Sequence, residues 1–190
     1  RLKQLTADLV EASKISSGNV KLDMQVIDLV ELVYQTSGEF NEKFEQKELT
    51  IVTKLPKTAV LIRADGRQLY RVIENLYNNV ANYALEKTRV YVDIAYVEEK
   101  VVFSIKNVSE HSLARENSNA GDLTERFIRG DSSRTTEGSG LGLSIAKSLT
   151  VLMGGVFDIK VDGDLFKASI TFPQYADENS SNPKMEEPAS

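Results

Sequence analysis

Along most of the chain, apolar residues recur either three and four positions apart or at every second position. The first spacing is typical of amphipathic helices and predicts one from about Asp28 to 48 and another over 67–85. A third helix is predicted after a run of glycines, and it ends at Gly154–Gly155, where glycine is a natural helix stop. The predicted helices therefore come singly, separated by segments of another kind.

Strands are predicted wherever apolar positions alternate over a short run. They cover 49–56, 59–65, two hairpins at 89–108 and 156–172, and the first part of 20–29, where a helix starts near Asp28. The first hairpin turns at Glu98–Lys100, and the second has an Asp-Gly pair at its turn, a preferred hairpin sequence. Because helices and hairpins alternate irregularly, we expect a mixed sheet that helices cover on one face.

The first 17 residues carry a heptad-like stripe. It consists of Leu2, Leu5, Leu9, Ala12 and Ser16. Gly18 then predicts a helix stop. Two interpretations remain open. The segment is either an amphipathic helix lying on the same domain or one helix of a bundle whose other helices lie outside this sequence. Since the chain begins without a Met or a signal peptide, we expect a piece of a longer protein.

Composition narrows the possible partners. The chain has 190 residues, 41% of them hydrophobic, with 23 Lys and Arg against 28 Asp and Glu and a formal net charge of -5. A non-specific nucleic-acid binder is usually strongly basic, so this charge argues against one. The lack of cysteine excludes disulfides and thiolate metal sites. No run of 18 apolar residues is present to span a membrane, and the polar tail 176–190 is expected to be disordered.

The helix predicted over 67–85 carries an unusual stripe of amides. At about 100° per residue, Asn75, Asn79 and Asn82 share one face beside the apolar stripe, with Arg71 one turn before them. Asparagine is a poor helix former because its amide competes for backbone hydrogen bonds. The stripe is either a solvated polar face or the rim of a cleft. In the second case its neutral oxygens suit Mg²⁺ beside a polyphosphate, since they add no negative charge.

A glycine-rich segment, EGSGLGLSIAKSL, precedes the third helix. Gly138, Gly140 and Gly142 each cost about 0.5–1 kcal/mol relative to alanine, so a need for bare or flexible backbone is expected. The spacing fits neither a P-loop nor a dinucleotide fingerprint. Glycines nevertheless leave N–H groups uncovered at a helix N-terminus, where partial positive charge favours phosphate. The alternative is a plain flexible loop that enters a helix.

Three ordered segments resemble motifs of one protein family. ENLYNNVANYA is similar to the N box of bacterial sensor histidine kinases, LTERFIRGD to their F box, and GSGLGLSIAKSLTVLMGG to their second glycine box. DLVEASKISSG resembles the end of the second helix of their dimerisation and phosphoacceptor domain. The resemblance implies the ATP-binding domain shared with type II topoisomerases, Hsp90 and MutL. Its fold is an α/β two-layer sandwich of the Bergerat type, with ATP under a mobile lid.

The resemblance implies roles for four residues of the amide helix. Asn79 is expected to be the Mg²⁺ ligand and a catalytic residue, and Asn75 to support the phosphate and metal region from one turn earlier. Asn82 stands where many relatives place a lysine that contacts phosphate, so that charge is missing here. Tyr83 matches an aromatic residue near the ribose and the phosphates.

The same resemblance implies a lid over residues 109–137 and a phosphate loop after it. Phe127 is expected to anchor the lid, and Arg129 is expected to reach the terminal phosphate as a catalytic residue. The expected phosphate loop consists of Gly138, Gly140, Leu141, Gly142 and Leu143. These residues would let the backbone wrap a triphosphate and let the lid close over it.

Two features depart from the family. Its first glycine box reads D-x-G-x-G, and the aspartate accepts a hydrogen bond from the adenine amino group; here Asn107, Ser109 and His111 occupy those positions. The Asn107 oxygen is still able to accept that bond, at a cost of about 1–2 kcal/mol in lost charge assistance. His111 is the sole histidine and falls in the lid, so the phosphoacceptor histidine is expected before residue 1.

The resemblance assigns 1–18 to the end of the dimerisation domain, 19–175 to the catalytic ATP-binding domain and 176–190 to a tail. The implied enzyme is a protein-histidine kinase that passes the γ-phosphoryl of Mg-ATP to a histidine outside this sequence, for relay to a response regulator. Its expected partners are its own phosphoacceptor domain and that regulator, with no nucleic acid. The stretch alone is expected to be a monomer. The whole protein is expected to be a homodimer in the bacterial cell membrane, with this domain in the cytoplasm.

Two other functions stay open on sequence alone. A degenerate nucleotide-binding module that regulates a partner without phosphoryl transfer would explain Asn107 and the missing glycines. An ATPase of the Hsp90 or MutL kind uses a glutamate one turn before the metal-binding asparagine. That position holds Asn75, while Glu74 points about 100° away, so hydrolysis of that kind is disfavoured.

Overall fold

The computed structural model describes residues 20–110 and 141–175, and within these ranges it contains seven strands and three helices. The strands are β1 (Gln25–Asp28), β2 (Thr50–Lys54), β3 (Leu61–Ala64), β4 (Arg89–Val97), β5 (Lys100–Val108), β6 (Val156–Asp162) and β7 (Leu165–Pro173). The helices are α1 (Leu29–Gln46), α2 (Gly66–Tyr83) and α3 (Gly142–Leu152). The predicted heptad stripe and the polar tail lie outside the described residues. None of the described helices is long and apolar enough to cross a bilayer.

Aspartates cap the first two helices. Asp28 Oδ1 accepts a hydrogen bond from Val30 N at 3.0 Å, and Asp65 Oδ1 accepts one from Gln68 N at 3.0 Å. Aspartate is a preferred N-cap because its carboxylate satisfies an orphan N–H and faces the positive end of the helix dipole. Asp28 Oδ1 also accepts from Val60 N at 3.1 Å, so this cap fixes α1 to the segment before β3 as well.

The main sheet has five strands in the order β2-β4-β5-β7-β6. β2 runs parallel to β4, and the other neighbours are antiparallel, so the predicted mixed sheet is confirmed. β1 and β3 form a separate antiparallel pair. Both predicted hairpins are present, and the second turns at Gly163 with a φ of +60°, which glycine adopts without strain.

One face of the main sheet is buried beneath the helices. Val92, Ile105, Ala168 and Ile159 lie side by side on four strands and are all buried. α2 contacts β5, α3 contacts β6, and the two helices contact each other. The adjacent row on the other face is Val52, Tyr91, Lys106, Lys167 and Lys160, partly or fully exposed. Helices on one face of a mixed sheet were the predicted architecture, and it is confirmed.

Aromatic rings fill the contact between α1 and α2. The Phe40 and Tyr77 centroids lie 5.3 Å apart, and the Phe44 and Tyr77 rings are stacked at 6.0 Å. The Tyr77 hydroxyl is 2.6 Å from Ser37 Oγ, and burial raises the pKa of Tyr77 to about 12. This contact therefore combines a large buried aromatic area with a satisfied hydroxyl.

The helix α1 departs in one position from the apolar pattern that predicts it. Thr36 is buried, and its hydroxyl donates to Leu32 O at 2.8 Å, one turn earlier. A buried threonine is tolerated because this bond satisfies its hydroxyl within the helix. Leu32, which belongs to the apolar pattern, is only half-buried.

Candidate functional site

Gly142, the first residue of α3, lies directly against the amide stripe of α2. A methyl group placed on Gly142 would come within 2.9 Å of Asn75 Oδ1. Asn75 Nδ2 donates to Arg71 O at 2.8 Å, which holds the amide in this position. Bare backbone is therefore needed at Gly142 because two helices approach closely there. Gly138 and Gly140 lie outside the described residues.

The remaining residues predicted on this face of α2 are half-buried. They are Asn79, Asn82 and Tyr83. Asn79 offers an amide oxygen, a neutral ligand that Mg²⁺ accepts. In the described ranges, no three side chains of His, Cys, Asp or Glu gather into a group that would hold a metal ion. The assignment of Asn79 as a metal ligand stays a prediction.

Two lysines contact α2: Lys43 of α1 and Lys47, the residue that caps the C-terminus of α1. The sequence pattern did not single them out. Lys43 Nζ donates to Asn78 Oδ1 at 3.2 Å. Lys47 Nζ donates to the backbone oxygens of Asn82 at 3.2 Å and Ala84 at 3.5 Å, where the negative end of the α2 dipole lies. Their spacing of four residues, about one helical turn, was the sequence signal for this pairing. Lys47 therefore brings a positive charge next to the position where the resembling kinases carry a lysine.

Asn107 lies on the helix-facing side of β5 and is only 2% exposed. Its Nδ2 donates to Val108 O at 2.9 Å, whereas its Oδ1 has no hydrogen-bond partner among the described residues. A buried polar atom without a partner costs about 1–3 kcal/mol, so an unpaired acceptor in a core is a feature that requires an explanation. A ligand that donates one hydrogen bond to this oxygen would satisfy it.

Backbone hydrogen bonds hold this end of β5 against the end of α2. Leu85 N donates to Val108 O at 2.9 Å, and Glu110 N donates to Tyr83 O at 2.9 Å. Ala84 and Ser109 form an isolated antiparallel bridge between them. The structure thus brings together the amide face of α2, the start of α3 and the end of β5.

Leu141 and Leu143 of the predicted phosphate loop differ in their surroundings. Leu141 precedes the first turn of α3, is half-buried, and makes no side-chain cap. The Leu143 side chain is buried in the core, so only its backbone is open to a ligand. The N–H groups of a helical first turn have no partner within the helix, and those of Gly142 and Leu143 belong to this turn.

Three further predicted positions have no structural description. Phe127, Arg129 and His111 lie between 111 and 140, outside the described residues. The described part of the site therefore consists of one face of α2, the first turn of α3 and the end of β5. It combines amide oxygens, backbone N–H donors and one buried acceptor, which is chemistry suited to a polar ligand with an amino group and anionic oxygens.

Comparisons with known proteins point in one direction. A family model described as histidine kinase-, DNA gyrase B-, and HSP90-like ATPase matches residues 64–181. Sensor protein VanSC of Enterococcus gallinarum is 27% identical over 181 residues, 93% of this chain and 48% of that protein. Alginate biosynthesis sensor protein KinB of Pseudomonas aeruginosa is 28% identical over 155 residues, 82% of this chain and 25% of that protein.

Solved structures share the fold at low sequence identity. The Acinetobacter baumannii histidine kinase AdeS has a TM-score of 0.73 at 17% identity, covering 92% of this chain and 79% of that one. Full-length ShkA in complex with AMPPNP has a TM-score of 0.75 at 20% identity, covering 91% of this chain and 36% of that one. This chain spans about half the length of VanSC and a quarter of KinB.

Proposed function

Because this chain belongs to the histidine kinase-, DNA gyrase B-, and HSP90-like ATPase family, we propose that it is the catalytic domain of a two-component sensor histidine kinase. Membership of the family implies ATP binding. The resemblance carried by the sequence motifs is thereby confirmed, and curated relatives are named sensor proteins and sensor histidine kinases. Transfer of phosphate to histidine is the activity we propose for the whole protein.

The observation that carries the proposal is the buried Asn107 oxygen. Within the described part of the chain it is an acceptor without a partner, at the position where the resembling kinases place the aspartate that binds the adenine amino group. Backbone bonds hold it beside the end of α2, the helix that carries the amide stripe. A ligand that donates from an exocyclic amino group and carries phosphates fits both features. The residues present are therefore compatible with ATP.

In this proposal, each part of the site holds one part of Mg-ATP. Asn79 binds Mg²⁺, Asn75 supports the metal and phosphate region, and Asn82 and Tyr83 border the phosphates and the ribose. Asn107 accepts from adenine. Gly138, Gly140, Leu141, Gly142 and Leu143 form the phosphate loop, with Phe127 and Arg129 in the lid. When bound, Mg-ATP supplies the transferable γ-phosphoryl group, and the chain contributes positioning and charge neutralisation.

For the whole protein, we propose the division into 1–18, 19–175 and 176–190 that the motifs imply. The first segment would belong to a dimerisation domain, whose histidine accepts the phosphoryl group from this domain. A response regulator would then receive it, in a homodimeric protein of the bacterial membrane with this domain in the cytoplasm. The chain itself is proposed to be monomeric.

Titration calorimetry with Mg-ATP tests the proposal on the full 190-residue chain. We expect a dissociation constant between micromolar and submillimolar and a loss of the Mg²⁺-dependent part of the affinity in Asn79→Ala. Asn78→Ala is the matched control, because Asn78 is a neighbouring amide of the same helix that bonds to Lys43 instead. A folded parent that binds no nucleotide at millimolar concentration would contradict the proposal and favour a degenerate regulatory module.

A further inference from the structure

An asparagine at the base-binding position raises a problem of selectivity. Its amide carries an acceptor oxygen and a donor nitrogen, which exchange places when the group turns by about 180°. Adenine presents an amino donor at its 6-position, whereas guanine and hypoxanthine present an oxygen acceptor there. An asparagine that turned freely would therefore bind a 6-amino purine and a 6-oxo purine about equally well.

The backbone carbonyl of Val108 prevents Asn107 from turning. Asn107 Nδ2 donates to Val108 O at 2.9 Å in a site where the residue is 2% exposed. In the turned amide, the side-chain oxygen would take the place of this donor and face the carbonyl oxygen at the same short distance. Both atoms are acceptors and water is excluded, so the turned amide is strongly disfavoured.

The position of this carbonyl is fixed by its own backbone partner. Val108 O also accepts from Leu85 N at 2.9 Å, at the end of α2. The neighbouring bridge between Ala84 and Ser109 holds the same two segments together. The carbonyl therefore has little freedom to move out of the way of a turned Asn107 amide.

We propose that Val108 O locks the Asn107 amide as an acceptor, so that a neutral residue selects a 6-amino purine in this chain. This inference rests on the proposed function, because it requires the ATP site. It adds an explanation of which base that site selects. It also means that the local structure is built for an amide. The aspartate of the resembling kinases would be a poorer residue here, although it restores their motif.

The reason is that a carboxylate has no donor for Val108 O. An ionised Asn107→Asp side chain would set a charged oxygen against the carbonyl oxygen. Only the protonated acid reproduces the present pattern, with its O–H donating to Val108 O and its other oxygen accepting from the base. Burial and the facing carbonyl both raise the pKa of the introduced carboxyl above its ordinary value. ATP binding by Asn107→Asp should therefore weaken, relative to the parent, as the pH rises through that pKa.

Other ionisable groups near this point are common to variant and parent. The cross-strand partners of Asn107 on β4 and β7, valine and phenylalanine, carry no charge. The ionisable residues whose hydrogen bonds border this end of β5 and α2 are Tyr83, Glu110, Asp164 and Lys47. Because the parent contains the same four groups, the ratio of variant to parent affinity at each pH isolates the introduced carboxyl.

The first test compares ATP with inosine triphosphate, which differs in carrying a 6-oxo group, by calorimetry on the parent chain with Mg²⁺. We expect ATP to bind at least tenfold more tightly. Equal affinities would overturn the lock while leaving the proposed ATP site intact. If the parent binds neither nucleotide, the proposed function fails and this selectivity fails with it.

The second test uses Asn107→Asp. We expect it to bind ATP at least threefold more weakly than the parent at pH 8 and to approach the parent affinity near pH 5.5. Carbon-13 NMR titration of the nucleotide-free variant should place the pKa of the new carboxyl above its ordinary value. Tighter ATP binding than the parent at pH 8, or a pKa at or below the ordinary value, would overturn the proposal.

Discussion

Helix α2 has two sides that are built in different ways. Toward α1 it packs the Tyr77 ring against Phe40 and Phe44, and its polar groups are paired, with Tyr70 donating to Glu39 at 2.6 Å and Tyr77 bonded to Ser37. Burial of aromatic area there stabilises the fold. Nothing in that contact calls for a ligand.

The other side of α2 gives up stability. It carries half-buried amides, brings a bare glycine against one of them, and ends beside the Asn107 oxygen, which has no hydrogen-bond partner among the residues at 20–110 and 141–175. Asparagine within a helix and an unsatisfied buried acceptor both cost free energy. This difference is what we expect if the α1 side contributes mainly to stability and the amide side to the proposed nucleotide binding.

The largest expected effect is on the α1 side. Tyr77→Ala should lower the free energy of unfolding by about 3–5 kcal/mol, because it removes a fully buried ring that two other rings contact. Urea denaturation measures the change. Tyr34→Ala, a tyrosine of α1 that is 57% exposed, is the control and should change stability by less than about 0.5 kcal/mol. A loss below about 1 kcal/mol for Tyr77→Ala would show that this contact is not the stabilising one.

Part of the pH dependence of stability at alkaline pH should trace to the same tyrosine. Its pKa is raised from the ordinary value of 10.0 to about 12, chiefly by burial, so the folded state holds the neutral form longer than the unfolded state. The resulting stability is complete below pH 10 and is lost as the pH rises toward 12, by about 2.7 kcal/mol in all. Unfolding measured between pH 9 and pH 11.5 should show this decline, and Tyr77→Phe should remove the part that burial of Tyr77 causes. A smaller part should remain, because the hydrogen bond to Glu39 raises the pKa of the partly exposed Tyr70 to about 12 as well. An unchanged decline in Tyr77→Phe would assign it to other groups.

On the amide side, Gly142→Ala should not give the gain in stability that a Gly→Ala substitution usually gives in a helix. The added methyl group forces Asn75 away and breaks its bond to Arg71 O, which costs about 1 kcal/mol. Gly38→Ala in α1 is the control, since nothing lies within 4 Å of its added methyl group and alanine is the better helix former by about 1 kcal/mol. We expect the two variants to differ by about 1–2 kcal/mol in unfolding free energy.

A double variant tests whether the contact with Asn75 causes the effect of Gly142→Ala. Adding Asn75→Ala to Gly142→Ala removes the atom that the methyl group meets, so the double variant should be more stable than the sum of the single changes predicts. Additive losses would place the cost of Gly142→Ala elsewhere. Equal stabilities of Gly38→Ala and Gly142→Ala would mean that the close approach of α3 to Asn75 does not require a glycine.

The smallest expected effect lies on neither side of α2. On the outer face of the sheet, Lys167 stands between Lys106 and Lys160 in register, and like charges directly opposite each other are destabilising. Lys167→Thr should raise stability by about 0.2–1 kcal/mol at low salt and leave nucleotide affinity unchanged. The gain should disappear in about 1 M salt, where screening is strong. A gain that survives high salt would have a cause other than charge.

The sequence predicts the elements well where the signal is local. Alternation and an Asp-Gly turn give both hairpins, and the amide spacing places Asn75 and Asn79 on one face of α2. The need for bare backbone at Gly142 is also predictable, but its contact with Asn75 is not, because that contact joins residues far apart in the chain. The unpaired oxygen of Asn107 likewise depends on the Val108 carbonyl and on what buries the strand. The local sequence pattern contains no information about the Gly142–Asn75 contact or about the burial of Asn107.

Unfolding with and without a nucleotide tests the division between the two sides of α2 most directly. Urea denaturation of the parent, Phe40→Leu and Asn79→Ala would be measured with and without Mg-AMPPNP at about 100 times the dissociation constant of the parent, a level that adds about 2.7 kcal/mol of stability. We expect Phe40→Leu to lose stability without nucleotide and to keep the added increment. Asn79→Ala should keep its stability without nucleotide and lose most of the increment. A full increment in Asn79→Ala, or a lost increment in Phe40→Leu, would contradict this division of roles.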